Sequence, residues 1–174
     1  MEDKNKIVIQ ALNHHKVLVI DAYEKYTKEV ISSAKNHNPT TNNAKFDESM
    51  RSIKARLSGR KAHAVKTSRS IIIEHYLPEL SAANDLNMST REAIEAITIT
   101  CGRCVSKNKL VGLFTRSGEG RYSPFFTDDK YKKSVLNHPL FIALGDDIKA
   151  FNSSIPHTEN HLKEKLLSEL ENYK

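Results

Sequence analysis

Glycine and proline are scarce in this chain of 174 residues, at six and five. A many-turn β-sandwich needs more of both, so the composition points to helices. Cysteine is scarcer still. Cys101 and Cys104 are the only two, and they are too close together to clamp a fold, which fits a reduced, cytoplasmic protein. No apolar run approaches the roughly 18 residues of a membrane span. The start, Met1-Glu2-Asp3-Lys4-Asn5-Lys6, carries both signs of charge, and His14, His15 and Lys16 break the next apolar stretch. That pattern is unlike a secretory signal, and no membrane partner is expected. Internal repeats and low-complexity tracts are absent. The length suffices for a core without disulfides or metals.

Acids are missing where cations crowd. The chain has 27 Lys and Arg against 21 Asp and Glu, a formal net charge of +6. Residues 1–50 are balanced, whereas 51–69 hold Arg51, Lys54, Arg56, Arg60, Lys61, Lys66 and Arg69 with no acid. Seven uncompensated cations repel one another unless an anion is near. A solvated helix face explains them as well, but the run favours a polyanion such as DNA, or RNA.

Apolar periodicity predicts the elements. Val8, Leu12, His15, Val19, Tyr23, Tyr26 and Val30 recur every three or four positions, which predicts one long helix over 5–35. Residues 36–46, rich in Asn and Thr, read as a linker. Asp47 caps a helix that Ser58-Gly59 should break. A further helix from about Thr67 should end before Pro78, and a short one should run from Pro78 to near Leu86. Ser89-Thr90-Arg91-Glu92 has the form of a capping box. Leu110–Arg116, Ser117-Gly118-Glu119-Gly120 and Arg121–Thr127 read as a β-hairpin, with Pro124 confining its strand to an edge. Asp128-Asp129 can cap Lys130–Val135. Ser153-Ser154-Ile155-Pro156 reads as a loop before a last helix with Leu162, Leu166, Leu167, Leu170 and Tyr173.

The order of a short helix (Leu80–Leu86), a turn, a helix capped at Ser89 and a glycine-tipped hairpin (Arg116–Tyr122) resembles the winged helix-turn-helix family of DNA-binding domains over about residues 68–127. The expected fold is mainly α with a small β-hairpin, a winged-helix-like centre between long N- and C-terminal helices. The resemblance implies a transcriptional regulator or accessory factor. Ser89, Thr90, Arg91 and Glu95 would lie on the recognition helix, and Arg116 and Arg121 on the wing; the charge run adds Arg56, Arg60, Lys61 and Lys66 as DNA contacts, with Arg103 a further one. Ile97-Thr98-Ile99-Thr100 and Gly102 depart from a good helix. The segments are then 1–35, an N-terminal helix available for dimerisation; 36–46, a linker; 47–130, the basic winged-helix-like domain; and 131–174, C-terminal helices. A homodimer built on the terminal helices is the expected assembly.

Other motifs carry less. Cys101-Gly102-Arg103-Cys104 is a lone C-x-x-C without the second ligand pair that structural zinc needs, so no metal and no cofactor is expected. Arg69-Ser70-Ile71-Ile72-Ile73-Glu74-His75 resembles the Arg-x5-His motif of the HEPN family of helical ribonucleases. That likeness implies that Arg69 and His75 would act on a scissile phosphate; outside it no catalytic set is visible. A helical protein-interaction module is the third alternative.

Overall fold

The computed structural model describes residues 2–37, 43–83, 85–86, 88–102, 105, 109–110 and 129–173. Among the described residues five helices have both ends defined: α1 (Glu2–Asn36), α2 (Asn43–Ala82), α3 (Thr90–Cys101), α4 (Asp129–Leu136) and α5 (Pro139–Tyr173). There is no strand among the described residues. This overturns the winged-helix-like centre. The expected short helix from Pro78 is instead the end of a continuous α2 of 40 residues. Leu110, expected to begin the first hairpin strand, is helical and 2% exposed. The rest of the hairpin, including Arg116 and Arg121, lies outside the described residues.

Several local stop signals are overridden. Proline inside a helix costs about 3 kcal/mol and glycine about 1. α2 nonetheless runs through Gly59 and Pro78, and α5 through Pro156. Burial outweighs that cost around Pro78, where Leu77 and Leu80 are both buried; each contributes about 1.5–3 kcal/mol. The β-branched run of α3 stays helical for a similar reason. Ala93, Ala96 and Ile97 are buried, while Thr98 and Thr100 donate their hydroxyls to the carbonyls of Ile94 (2.6 Å) and Ala96 (3.0 Å). The capping box forms: Ser89 Oγ accepts from the Glu92 N–H and a Glu92 carboxylate oxygen from the Ser89 N–H, both at 3.3 Å. Gly102 closes α3 with φ +82° and ψ −179°, its N–H donating to the Thr98 carbonyl at 2.9 Å. At φ and ψ of this kind only glycine is comfortable.

Two compact units divide the chain. The first comprises Met1–Ala11 and Lys66–Ser153, the second Leu12–Val65 and Ser154–Lys174. In the first, Ile72, Ile73, Leu77, Leu80, Phe141, Leu144 and Phe151 are buried. Two polar ties join α2 to α5 there. Tyr76 donates its phenol to Asp147 at 2.5 Å, and Arg69 donates twice to the Asn152 side-chain oxygen at 3.0 and 2.8 Å. Burial, reinforced by Asp147, raises the Tyr76 phenol above its ordinary pKa. α5 begins at Pro139, a position where a missing N–H costs nothing. His138 before it accepts from the Leu140 N–H and meets the Asp85 carboxylate at 2.9 Å.

The second unit has a core of Val19, Tyr23, Ala64, Leu162 and Leu166, with Leu18, Ile20, Tyr26 and Leu57 packed on it. α1, α2 and α5 all contribute to this core.

Candidate nucleic-acid interface

The basic run of α2 is not a free strip. In the second unit, Glu29 of α1 stands opposite Arg56 and Arg60 of α2. One Glu29 carboxylate oxygen accepts from Arg60 Nη2 at 2.9 Å, and the other accepts from Arg56 Nη2 at 3.2 Å and Nε at 3.3 Å. The Arg60 hydrogen bond, assisted by Arg56, holds the Glu29 carboxyl below the usual carboxylate range. Lys61 reaches Glu159 of α5 at 3.4 Å and lies 5.8 Å from the centroid of the Tyr23 ring. Burial opposes its charge, but Tyr23 and Glu159 outweigh burial, so Lys61 keeps its proton more tightly than an ordinary lysine. Arg60 and Lys61 tie helices together, whereas Arg56, 52% exposed, pairs with Glu29 and also lines the groove described next.

Around that clamp the α1–α2 seam opens into two cavities. The larger, about 780 Å³, is lined by Lys28, Lys45 and Arg56, with Ser32, Ser33 and Ser49 among the polar groups. Lys28 and Lys45 are exposed and make no ion pair among the described residues. His37 and Phe46 also line it, their ring centroids 4.1 Å apart and their planes tilted by 32°. Glu29 is the one acid lining that cavity among the described residues, and both of its oxygens already face arginines. The second cavity, about 440 Å³, is lined by Arg56, Arg60, Lys25, Asp21, His63 and Gly59, among others. Lys25 pairs with Asp21 at 3.1 Å. A Cβ added at Gly59 would meet nothing within 4 Å, so this side of α2 is open.

The remaining candidates are scattered. Lys66 belongs to the first unit and is exposed. The Ser89 hydroxyl is engaged in the capping box, Thr90 opens α3, and Arg91 lies 3.7 Å from Glu95 one turn on. Ser89, Thr90, Arg91 and Glu95 thus lie at the start of α3, and the expected wing lies outside the described residues. Arg103 lies outside the described residues, as do Arg116 and Arg121. Arg69 and His75 stand on one helix, about 9 Å apart along its axis and about 120° apart around it. Arg69 is engaged with Asn152, while His75 is exposed and packs edge-on against Tyr76. The helix does not bring that pair together.

Sequence reasoning missed Lys28, Lys45, His37 and Phe46. The last three fall within what reads as a linker, or at its edge, and Lys28 sits in a charge-balanced segment. One signal was available: Phe46 is a large aromatic in an otherwise polar stretch.

Among the described residues no helix is long and apolar enough to cross a membrane, and no group of three His, Cys, Asp or Glu could hold a metal ion. No protein-family model matches the chain, and neither the curated proteins nor the solved structures compared with it give a match.

Proposed function

We propose that this protein binds nucleic acid, DNA or RNA, through the cationic α1–α2 seam of its second unit. The observation that carries the reading is the concentration of Lys28, Lys45 and Arg56 on one open groove whose single described acid, Glu29, is already matched by two arginines. The net charge of +6 favours the same class of partner. Phosphate contacts of this type fix position rather than sequence. A role in regulation therefore rests on whatever else directs the protein to its target.

The test is binding of a labelled oligonucleotide at several salt concentrations. A plot of log K against log salt should fall linearly, and Lys28→Ala with Lys45→Ala should flatten it by about 0.7–0.9 per lost contact. Lys61→Ala should leave that slope unchanged, because Lys61 serves Glu159 and Tyr23. A slope that does not respond to Lys28 and Lys45 refutes the seam.

Two companion proposals go with it. The scarcity and close spacing of the two cysteines favour a cytoplasmic location. Val17 of α1 and Leu167 of α5 are 65% and 51% exposed, which favours a homodimer on the terminal helices; light scattering of the full chain tests it.

A further inference from the structure

Resting on that reading, we infer that the larger groove of the seam takes an unpaired nucleic-acid strand, with a base stacked on the His37–Phe46 ring pair and the flanking phosphates on Lys28, Lys45 and Arg56. The cations by themselves would suit any polyanion. The rings discriminate. His37 and Phe46 come from either side of the α1–α2 connection and meet at 4.1 Å between centroids. Both are half-buried, so the pair is supported by the unit without being sealed in it.

A base laid on either ring of this tilted pair gains an aromatic contact. It needs no particular hydrogen-bond pattern, because every base has a π-face. In a duplex the base faces are covered by neighbouring pairs, so a duplex can reach the cations but not the rings. An acidic protein can likewise meet the cations but brings no purine or pyrimidine face.

The dimensions agree. A cavity of about 780 Å³ lies within the range of roughly 300–1,000 Å³ typical of sites for small organic ligands. Lys45 and Arg56 are eleven positions apart on one helix, about 16 Å along its axis. That span exceeds the rise of about 3.4 Å of a single stacked nucleotide, so the cations can meet more than one phosphate of the same strand. The site also offers hydroxyls at Ser32, Ser33 and Ser49, with Ser33 Oγ and Ser49 Oγ 3.4 Å apart. These suit phosphate oxygens and sugar hydroxyls, and supply polar contacts that a bare cationic patch lacks.

The experiment uses the full chain and three labelled probes: rU12, dT12 and a 12-base-pair duplex, read by fluorescence anisotropy. Either single strand should bind about tenfold more tightly than the duplex, and the tighter of the two names the sugar. Phe46→Leu should remove most of that preference and Phe46→Tyr should retain it, with circular dichroism confirming that both variants are folded. Equal binding of strand and duplex, or a strand preference indifferent to Phe46→Leu, overturns the inference while leaving the cationic seam standing. Salt-dependent binding to none of the three probes overturns the seam together with the inference.

Discussion

Replacing Glu29 with Gln isolates one carboxylate that holds two cations of the seam. Three hydrogen bonds converge on it, at 2.9 Å from Arg60 and at 3.2 and 3.3 Å from Arg56. The side chains are 29% exposed for Glu29, 31% for Arg60 and 52% for Arg56. Solvent therefore screens the pairs, and each contributes about 0.2–1 kcal/mol. Glutamine keeps the shape and one acceptor oxygen, so Glu29→Gln should cost about 1 kcal/mol. In a protein of this size that lowers Tm by about 2–4 °C, less in molar salt, where the ion pairs are screened.

Binding should move the other way. The substitution removes the acid from the groove, ends its competition for Arg56 and releases Arg60 toward a phosphate. The log K against log salt slope for a single strand should steepen by about 0.7 if Arg60 is recruited, and affinity at low salt should rise several-fold. The acid limb gives a third readout. The folded pKa of Glu29 lies below its unfolded value. Its stabilisation is thus complete above the unfolded value of about 4.5 and is lost as pH falls through the lower folded one. Glu29→Gln should lack that increment. Melting curves and anisotropy titrations on the same preparations read all three. A variant that melts like the parent and binds no more tightly refutes the claim that Glu29 restrains the two arginines.

His15 is fully buried, and burial holds its imidazole below the ordinary value, with Glu159 opposing and His14 adding to the effect. The folded state therefore resists protonation, and stability that is complete above about pH 6.5 should fall as pH drops below it. Urea melts at pH 7.5 and 5.5 should show a smaller loss for His15→Leu, and equal losses refute this. Gly59→Ala, in open space within a helix, should stabilise by about 0.5–1 kcal/mol. Gly102→Ala, at φ +82°, should destabilise by about 1–3 kcal/mol; a loss at Gly59, or none at Gly102, in denaturant melts contradicts the described backbone. Tyr76→Phe leaves the Asp147 carboxylate without its phenol donor and should cost about 1–3 kcal/mol by the same melts. An unchanged midpoint means that the 2.5 Å bond contributes nothing net.

Local chemistry was readable from sequence wherever an element depends on its own residues. The three-and-four spacing from Val8 to Val30 predicted a helix over 5–35, and α1 spans Glu2–Asn36. Ser89 and Glu92 announced a capping box, which forms because both partners lie within one turn. Asp129 opens α4 where the acidic pair suggested. The net charge is likewise a property of composition, since it is summed over residues whatever their arrangement.

Tertiary structure decided the rest. Ser58-Gly59, Pro78 and Ser153–Pro156 all read as ends, and all lie inside helices. A local penalty of one to three kcal/mol loses to burial supplied by distant parts of the chain, as at Leu77 and Leu80. The basic run shows the same limit in electrostatics. Its neutralising acids are absent from 51–69 because they come from α1 and α5: Glu29 lies 27 and 31 positions from Arg56 and Arg60, and Glu159 pairs with Lys61 across a still longer separation. Which cations clamp helices and which stay open to a ligand depends on what faces them. That is fixed only when α1, α2 and α5 pack around Val19, Tyr23, Ala64, Leu162 and Leu166.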